Sequence, residues 1–270
     1  MSLKTLIATM KGGQVLIPVL QDYIAKYNRQ VRKGMKSKKQ GTIRDARLTI
    51  TAMENRIAEF NHGDEIEGEK FHPSRLSTCL RQTWFDRMDA PREKVSNKDE
   101  FKNHLVFEVG TYFHILMMNL IERAGIMEAR EVAIDSEKYK TLGHCDVVVI
   151  IDGVRYGVEL KTINLRGFAS VAKQPLHGHK MQVHAYMKPL GLEWMIILYY
   201  CKETSECREH VIQFDQRFYD QYVKARITRF FRHLRDVTLP DREESGNCAY
   251  CSFADICYNK KQLNKFMATL

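Results

Sequence analysis

No apolar run in this 270-residue chain is expected to span a membrane, and the apolar patch among the first twenty residues leaves only six positions between Lys4 and Lys11, too few for a signal-peptide core. These absences point to a cytoplasmic protein with no membrane partner. There is no internal repeat and no low-complexity tract beyond one basic link. Cysteine is sparse and odd in number, seven, which argues against a disulfide scaffold and turns attention to spacing. Acidic residues are in deficit: 42 Lys and Arg face 33 Asp and Glu, for a net charge of +9. Residues 26 to 47 account for most of it, with nine basic residues against Asp45 alone. What remains, 44% hydrophobic, is the composition of a globular protein of one large or two small domains.

Apolar spacing predicts a helix over 14–33, a basic flexible link "RKGMKSKKQG", and a second helix over 46–60. Pro73 and Ser74 signal a helix start, with Cys79 and Arg81 on that helix. A long helix carrying His114 is expected over 98–124, stopped at Gly125. Strands follow at 128–135, 144–151 and 154–162, then a helix ending at Pro189-Leu190-Gly191, strands over 193–201 and 208–214, and an amphipathic helix over 215–236. This order implies an α/β fold with a mixed central sheet flanked by helices.

Asp152-Gly153 between two β-rich runs is a strong hairpin signal, and a two-residue turn there pairs residues whose numbers sum to 305. Asp146 then faces Glu159 across antiparallel strands, with Cβ atoms roughly 4.5 to 5.5 Å apart. Like charges so placed repel unless a cation lies between them. Glu159 and Lys161 share that face, with Asp146 and His144, while Val147, Val149, Val158 and Leu160 point to the core. Oxygen donors favour magnesium or manganese over zinc; the plain alternative is a solvated face with an ordinary Glu/Lys pair.

An aspartate, a turn and then Glu-x-Lys resembles the core of the PD-(D/E)xK nuclease superfamily. Its RecB-like branch is suggested by His114 on an upstream helix and by Gln182 and Tyr186, four apart, downstream. The resemblance covers about residues 71 to 258 and implies a restriction-endonuclease-like core over 71–270; it does not reach residues 1–70, which charge and periodicity make a basic helical extension. In that reading His114, Asp146, Glu159 and the Leu160 carbonyl bind Mg2+ or Mn2+. Lys161 stabilises charge in the reaction, and Gln182 and Tyr186 position the strand or the lysine.

Cys248-x2-Cys251-x5-Cys257, together with Cys79, resembles the four-cysteine clasp of iron–sulfur members of that branch, such as the exonuclease of CRISPR adaptation and the AddB nuclease domain. Four thiolates could hold a [4Fe–4S] cluster or a structural zinc ion. Cys145, Cys201 and Cys207 are expected to be ordinary core or surface residues. The resemblance implies an exonuclease on single-stranded DNA, 5′ to 3′. Apart from it, the charge of the basic arm, with Lys33, Lys36, Lys38 and Lys39, fits sequence-independent phosphate binding or a solvated tail, and Arg81 fits a phosphate contact or an exposed structural arginine. The alternative is a non-catalytic DNA-binding or assembly module of recombination or CRISPR-adaptation type. No helicase motif is present, so unwinding would fall to a partner.

Overall fold

A computed structural model of the chain describes residues 13–36, 70–93 and 97–270. The helix expected over 46–60, together with Lys38 and Lys39, lies outside the described residues.

The tandem β-rich runs form one five-stranded sheet in sequence order: β1 (Met127–Ser136), β2 (Thr141–Ile151), β3 (Val154–Ile163), β4 (Trp194–Cys201) and β5 (Cys207–Gln213). Neighbours pair antiparallel except β3 and β4, which are parallel. A parallel pair needs a long crossover. The chain supplies it with α4 (Leu165–Ser170) and α5 (His177–Leu190), which cover one face of the sheet. The result is the mixed α/β architecture expected.

The other face is covered by α1 (Leu16–Lys36) and α3 (Asn97–Arg123). Leu16, Leu20, Phe113 and Ile121 there meet Val147, Val158 and Leu160 from the strands. Thus α1, within the expected extension, shares a core with the sheet. Its docking has a local cause: the carboxylate of Glu209 on β5 accepts the free N–H groups of Val15, Leu16 and Ile17 at the helix start. The helix continues to Lys36, through the first half of the expected basic link, because Arg, Lys and Met are good helix formers.

Three expectations need correction. The helix predicted from Pro73 is two pieces, a 3-10 turn at Pro73–Ser77 and α2 (Leu80–Arg87), with Cys79 as the N-cap of α2 rather than inside a helix. The helix over 215–236 comprises α6 (Gln216–Phe218), a π-helical turn at Tyr219–Lys224 and α7 (Ala225–Arg235). A membrane-length run does exist: His104–Arg123 in α3 is long and apolar enough by length and composition. Here Phe113, Met117, Met118 and Ile121 are spent on the sheet, while Phe101, Phe107 and Leu116 are exposed. A second core joins α2, the π turn, α7, α8 (Ala254–Tyr258) and α9 (Lys260–Met267) around Trp84, Phe85, Phe230 and Phe253.

Candidate metal and catalytic site

The hairpin turn takes positive φ at both central residues, 51° at Asp152 and 78° at Gly153, as a two-residue turn matched to strand twist requires. The 305 register holds from Ile151 opposite Val154 to Val147 opposite Val158. One step further, at Asp146 and Glu159, the two strands exchange a side chain for backbone pairing: Asp146 Oδ2 accepts the Leu160 N–H at 2.7 Å. Both carboxylates are buried, at 9% and 2% exposure.

The other residues expected near them converge on the same point. From α3, His114 Nδ1 lies 3.7 Å from Asp146 Oδ2, and its ring hydrogen-bonds the Leu160 backbone. Lys161 Nζ is 2.6 Å from Glu159 Oε1. From α5, Gln182 Nε2 donates to Glu159 Oε1 and to the Tyr186 hydroxyl, each at 2.8 Å. The i, i+4 spacing puts Gln182 and Tyr186 on one helical face, so the amide bridges the two. His144, placed on this face by alternation, is exposed.

Burial dominates the electrostatics. It pushes the Asp146 carboxyl up to about 6, and with the Asp146 charge it pushes Glu159 up to about 7. Burial holds His114 down at about 4, a neutral imidazole at neutral pH with a lone pair available to a metal. Burial opposes the charge on Lys161, but Glu159 and Asp146 outweigh it and raise the ammonium above its ordinary range. The cluster thus holds more negative charge than its lysine offsets.

A third acid was missed in the sequence. Glu131 on β1 continues the 277 register of Arg130 opposite Val147 and Val132 opposite Cys145, which sets it across from Asp146. Its backbone is in the left-handed region, φ 44°, which breaks the ladder at that position. Burial, then Asp146 and Glu159, push its carboxyl up to about 8. Glu131 Oε1 and Glu159 Oε2 are buried oxygens without hydrogen-bond partners. Among the described residues no three His, Cys, Asp or Glu side chains are already drawn together at ion-binding distances. The donor set nevertheless fits a hard divalent cation: two orphaned carboxylate oxygens, Asp146 and a neutral histidine, in a site short of positive charge.

The four cysteines expected to act together line one cavity of about 520 Å³ between α2 and the C-terminal segment. Cys79 is held there because Glu243 accepts the next N–H, of Leu80, at 3.0 Å, and is itself gripped by Arg226 at 2.6 and 2.8 Å. Burial raises the Cys251 thiol, and the Cys79, Cys257 and Cys248 sulfurs add to the rise. The four residues line one cavity, with no three of their sulfurs drawn together at ion-binding distances. Arg81, expected at a phosphate, donates instead to the Pro240 carbonyl at 2.7 Å and to Cys257 Sγ at 3.7 Å. Lys33 and Lys36 lie in the last turns of α1. Cys145 and Cys201 are buried and Cys207 half-buried, as ordinary core residues.

No protein-family model matches the chain, and no curated protein does. Among solved structures the fold is similar to that of SSO0001, 20% identical over 80% of this chain and 96% of that one, with a TM-score of 0.48. It is also similar to the exonuclease LHK-Exo in complex with dAMP, 16% identical over 73% of this chain and 94% of that one, TM-score 0.44. A phage-related exonuclease from Haemophilus somnus 129PT is 12% identical over 62% of this chain and 96% of that one, TM-score 0.43.

Proposed function

We propose that the chain is a metal-dependent DNA nuclease that hydrolyses phosphodiester bonds, acting as an exonuclease on single-stranded DNA with 5′ to 3′ polarity. One observation carries this reading: carboxylates from neighbouring strands are buried against each other beside an ammonium, with a carboxylate oxygen, Glu159 Oε2, left without a partner. Asp146, Glu159, His114 and the Leu160 carbonyl are the residues that would hold Mg2+ or Mn2+, with Glu131 on the strand beside them. A cation held there would polarise the scissile phosphate and lower the pKa of an attacking water.

The chain's own residues do the rest. Lys161, kept protonated by Glu159 and Asp146, presents positive charge to the phosphoryl oxygens as charge builds on them. Gln182 fixes one oxygen of Glu159 and so leaves the other free to ligate. Tyr186, accepting from the same amide, locks the Gln182 rotamer. Burial by α3 and α5 keeps bulk water from screening these interactions.

The four-cysteine cavity is proposed to hold a [4Fe–4S] cluster that ties α2 to the C-terminal segment, with structural zinc as its alternative. Brown protein on anaerobic purification, with stoichiometric iron, supports the cluster; colourless protein carrying zinc removes the iron and leaves the nuclease reading intact.

The test of the nuclease is cleavage of end-labelled single- and double-stranded DNA in Mn2+. Asp146→Asn and Lys161→Ala proteins of unchanged far-UV spectrum are expected to lose at least about a hundredfold in rate, in the range of lost transition-state charge stabilisation. Full activity in either overturns the assignment.

A further inference from the structure

Away from the carboxylate cluster, a cavity of about 1210 Å³ is walled by the β1–β2 turn, the last turn of α5, the π-helical turn and α7. Seven of its fifteen lining residues are Lys or Arg, against one carboxylate, Asp220. A second cavity of about 950 Å³ shares Asp220, Lys224, Thr228 and Arg232 with it. Lys224, Thr228 and Arg232 stand at i, i+4 and i+8, a stripe about 12 Å long that borders both cavities, and the cavity with seven cations is a trough along one side of it.

Three of these cations meet a carboxylate, Lys140 with Glu137 at 3.6 Å, Lys224 with Asp220 at 4.0 Å and Arg235 with Asp236 at 2.8 Å, and the other four have none among the described residues. Arg87 is half-buried, burial depresses its pKa, and among the described residues no carboxylate pairs with it. Among the described residues the Lys188 ammonium meets the neutral Gln216 oxygen at 2.5 Å and the rings of Phe214 and Tyr219 at 5.2 and 5.8 Å. Lys138 lies over the Tyr139 ring at 5.3 Å. Like charges gathered in a concave, partly desolvated trough focus positive potential and repel one another until an anion enters. Tyr139 and Phe231, both half-buried in its walls, add aromatic surface among the cations.

We infer that this trough is a second nucleic-acid site, which binds the sugar-phosphate backbone of a single strand by ion pairing and its bases by stacking on Tyr139 and Phe231. Its volume exceeds that of small-molecule pockets. Cations interleaved with aromatic rings are the combination that holds single strands irrespective of sequence. Walls on several sides admit one strand more readily than a duplex. The assignment does not depend on whether the carboxylate cluster hydrolyses DNA, because none of His114, Asp146, Glu159 and Lys161 lines the trough.

The experiment is fluorescence anisotropy of a labelled oligothymidylate with the full chain, in chelator so that no cleavage occurs, across a series of KCl concentrations. Lys224→Gln/Arg232→Gln protein of unchanged thermal stability is expected to bind at least tenfold more weakly, with the slope of log affinity against log salt reduced by about 1.4 for two lost contacts. Tyr139→Ala is expected to weaken oligothymidylate binding by at least about fivefold and leave binding of polyglutamate unchanged. Unchanged affinity and slope in the double variant overturn the inference. So does polyglutamate that competes as well as DNA, which would make the trough a dock for acidic protein. Asp146→Asn is expected to bind like wild type, and the double variant to cleave a short oligonucleotide at an undiminished maximal rate if the cluster is a nuclease, which separates failure of the trough from failure of the catalytic reading.

Discussion

Replacing Glu131 by Gln should make the metal-free protein more stable at high pH, although the substitution removes a side chain from the candidate site. In the folded chain, burial and the neighbouring Asp146 and Glu159 raise the Glu131 carboxyl from 4.5 to about 8. Below pH 4.5 it is protonated in both folded and unfolded states and contributes nothing. Between 4.5 and 8 the unfolded chain releases the proton while the folded chain retains it, so folding is progressively disfavoured, and the full cost is present above 8. Such a displacement corresponds to about 5 kcal/mol at most; halved for the side chain's partial access to water, it is about 2 to 3 kcal/mol. For a chain of this size that is a rise of roughly 5 to 10 °C in Tm for Glu131→Gln at pH 9, with little difference at pH 5. The glutamine amide can also donate to the carboxylates it faces. Thermal melts in chelator at both pH values, and at pH 9 with Mn2+ added, provide the measurement. If Glu131 sits on the ion, Mn2+ should stabilise wild type more than the variant and narrow the gap. A variant no more stable at pH 9 than wild type, or equally stabilised at both pH values, refutes the reasoning, because the penalty would then not come from ionisation.

Glu209→Ala should cost about 3 kcal/mol, since it strips the charged acceptor from the N–H groups of Val15, Leu16 and Ile17. Faster tryptic cleavage at Lys26 and Arg29, with the sheet core resistant, is the expected readout; unchanged cleavage would mean apolar packing alone holds α1. Gly178→Ala places a Cβ 2.2 Å from Ser77 Cβ, so α5 and the 3-10 turn must move apart. A loss of about 1 to 3 kcal/mol in urea melts is expected, partly recovered in the Gly178→Ala/Ser77→Gly protein, where the contacting Cβ is gone.

The hairpin was legible because its information is local. Asp152-Gly153 sets the turn, the turn sets the register, and the register brings Asp146 and Glu159 together. His114, Gln182 and Tyr186 came from family spacing, and the helices that carry them fall where apolar periodicity put them. Glu131 was not legible for the complementary reason. The β1–β2 connection has no two-residue turn signal, and the register shifts between Met127 and Ala129, so nothing in "MEAREVAIDS" tells which residue meets Asp146. Glu209 and Glu243 were missed in the same way, as their partners lie 192 to 194 and 163 residues distant. Arg81 shows the limit from the other side: an arginine near a cysteine motif reads as a phosphate ligand from sequence, whereas its committed acceptors, Pro240 and Cys257, are fixed only by how the C-terminal segment folds back. The basic trough is the extreme case. Arg87, Lys138, Lys188 and Lys224 come from four separate segments, and none stands in the basic arm to which the charge distribution drew attention. Net charge along a chain locates solvated runs, while a binding potential depends on which cations the fold gathers into one concavity with few anions to answer them.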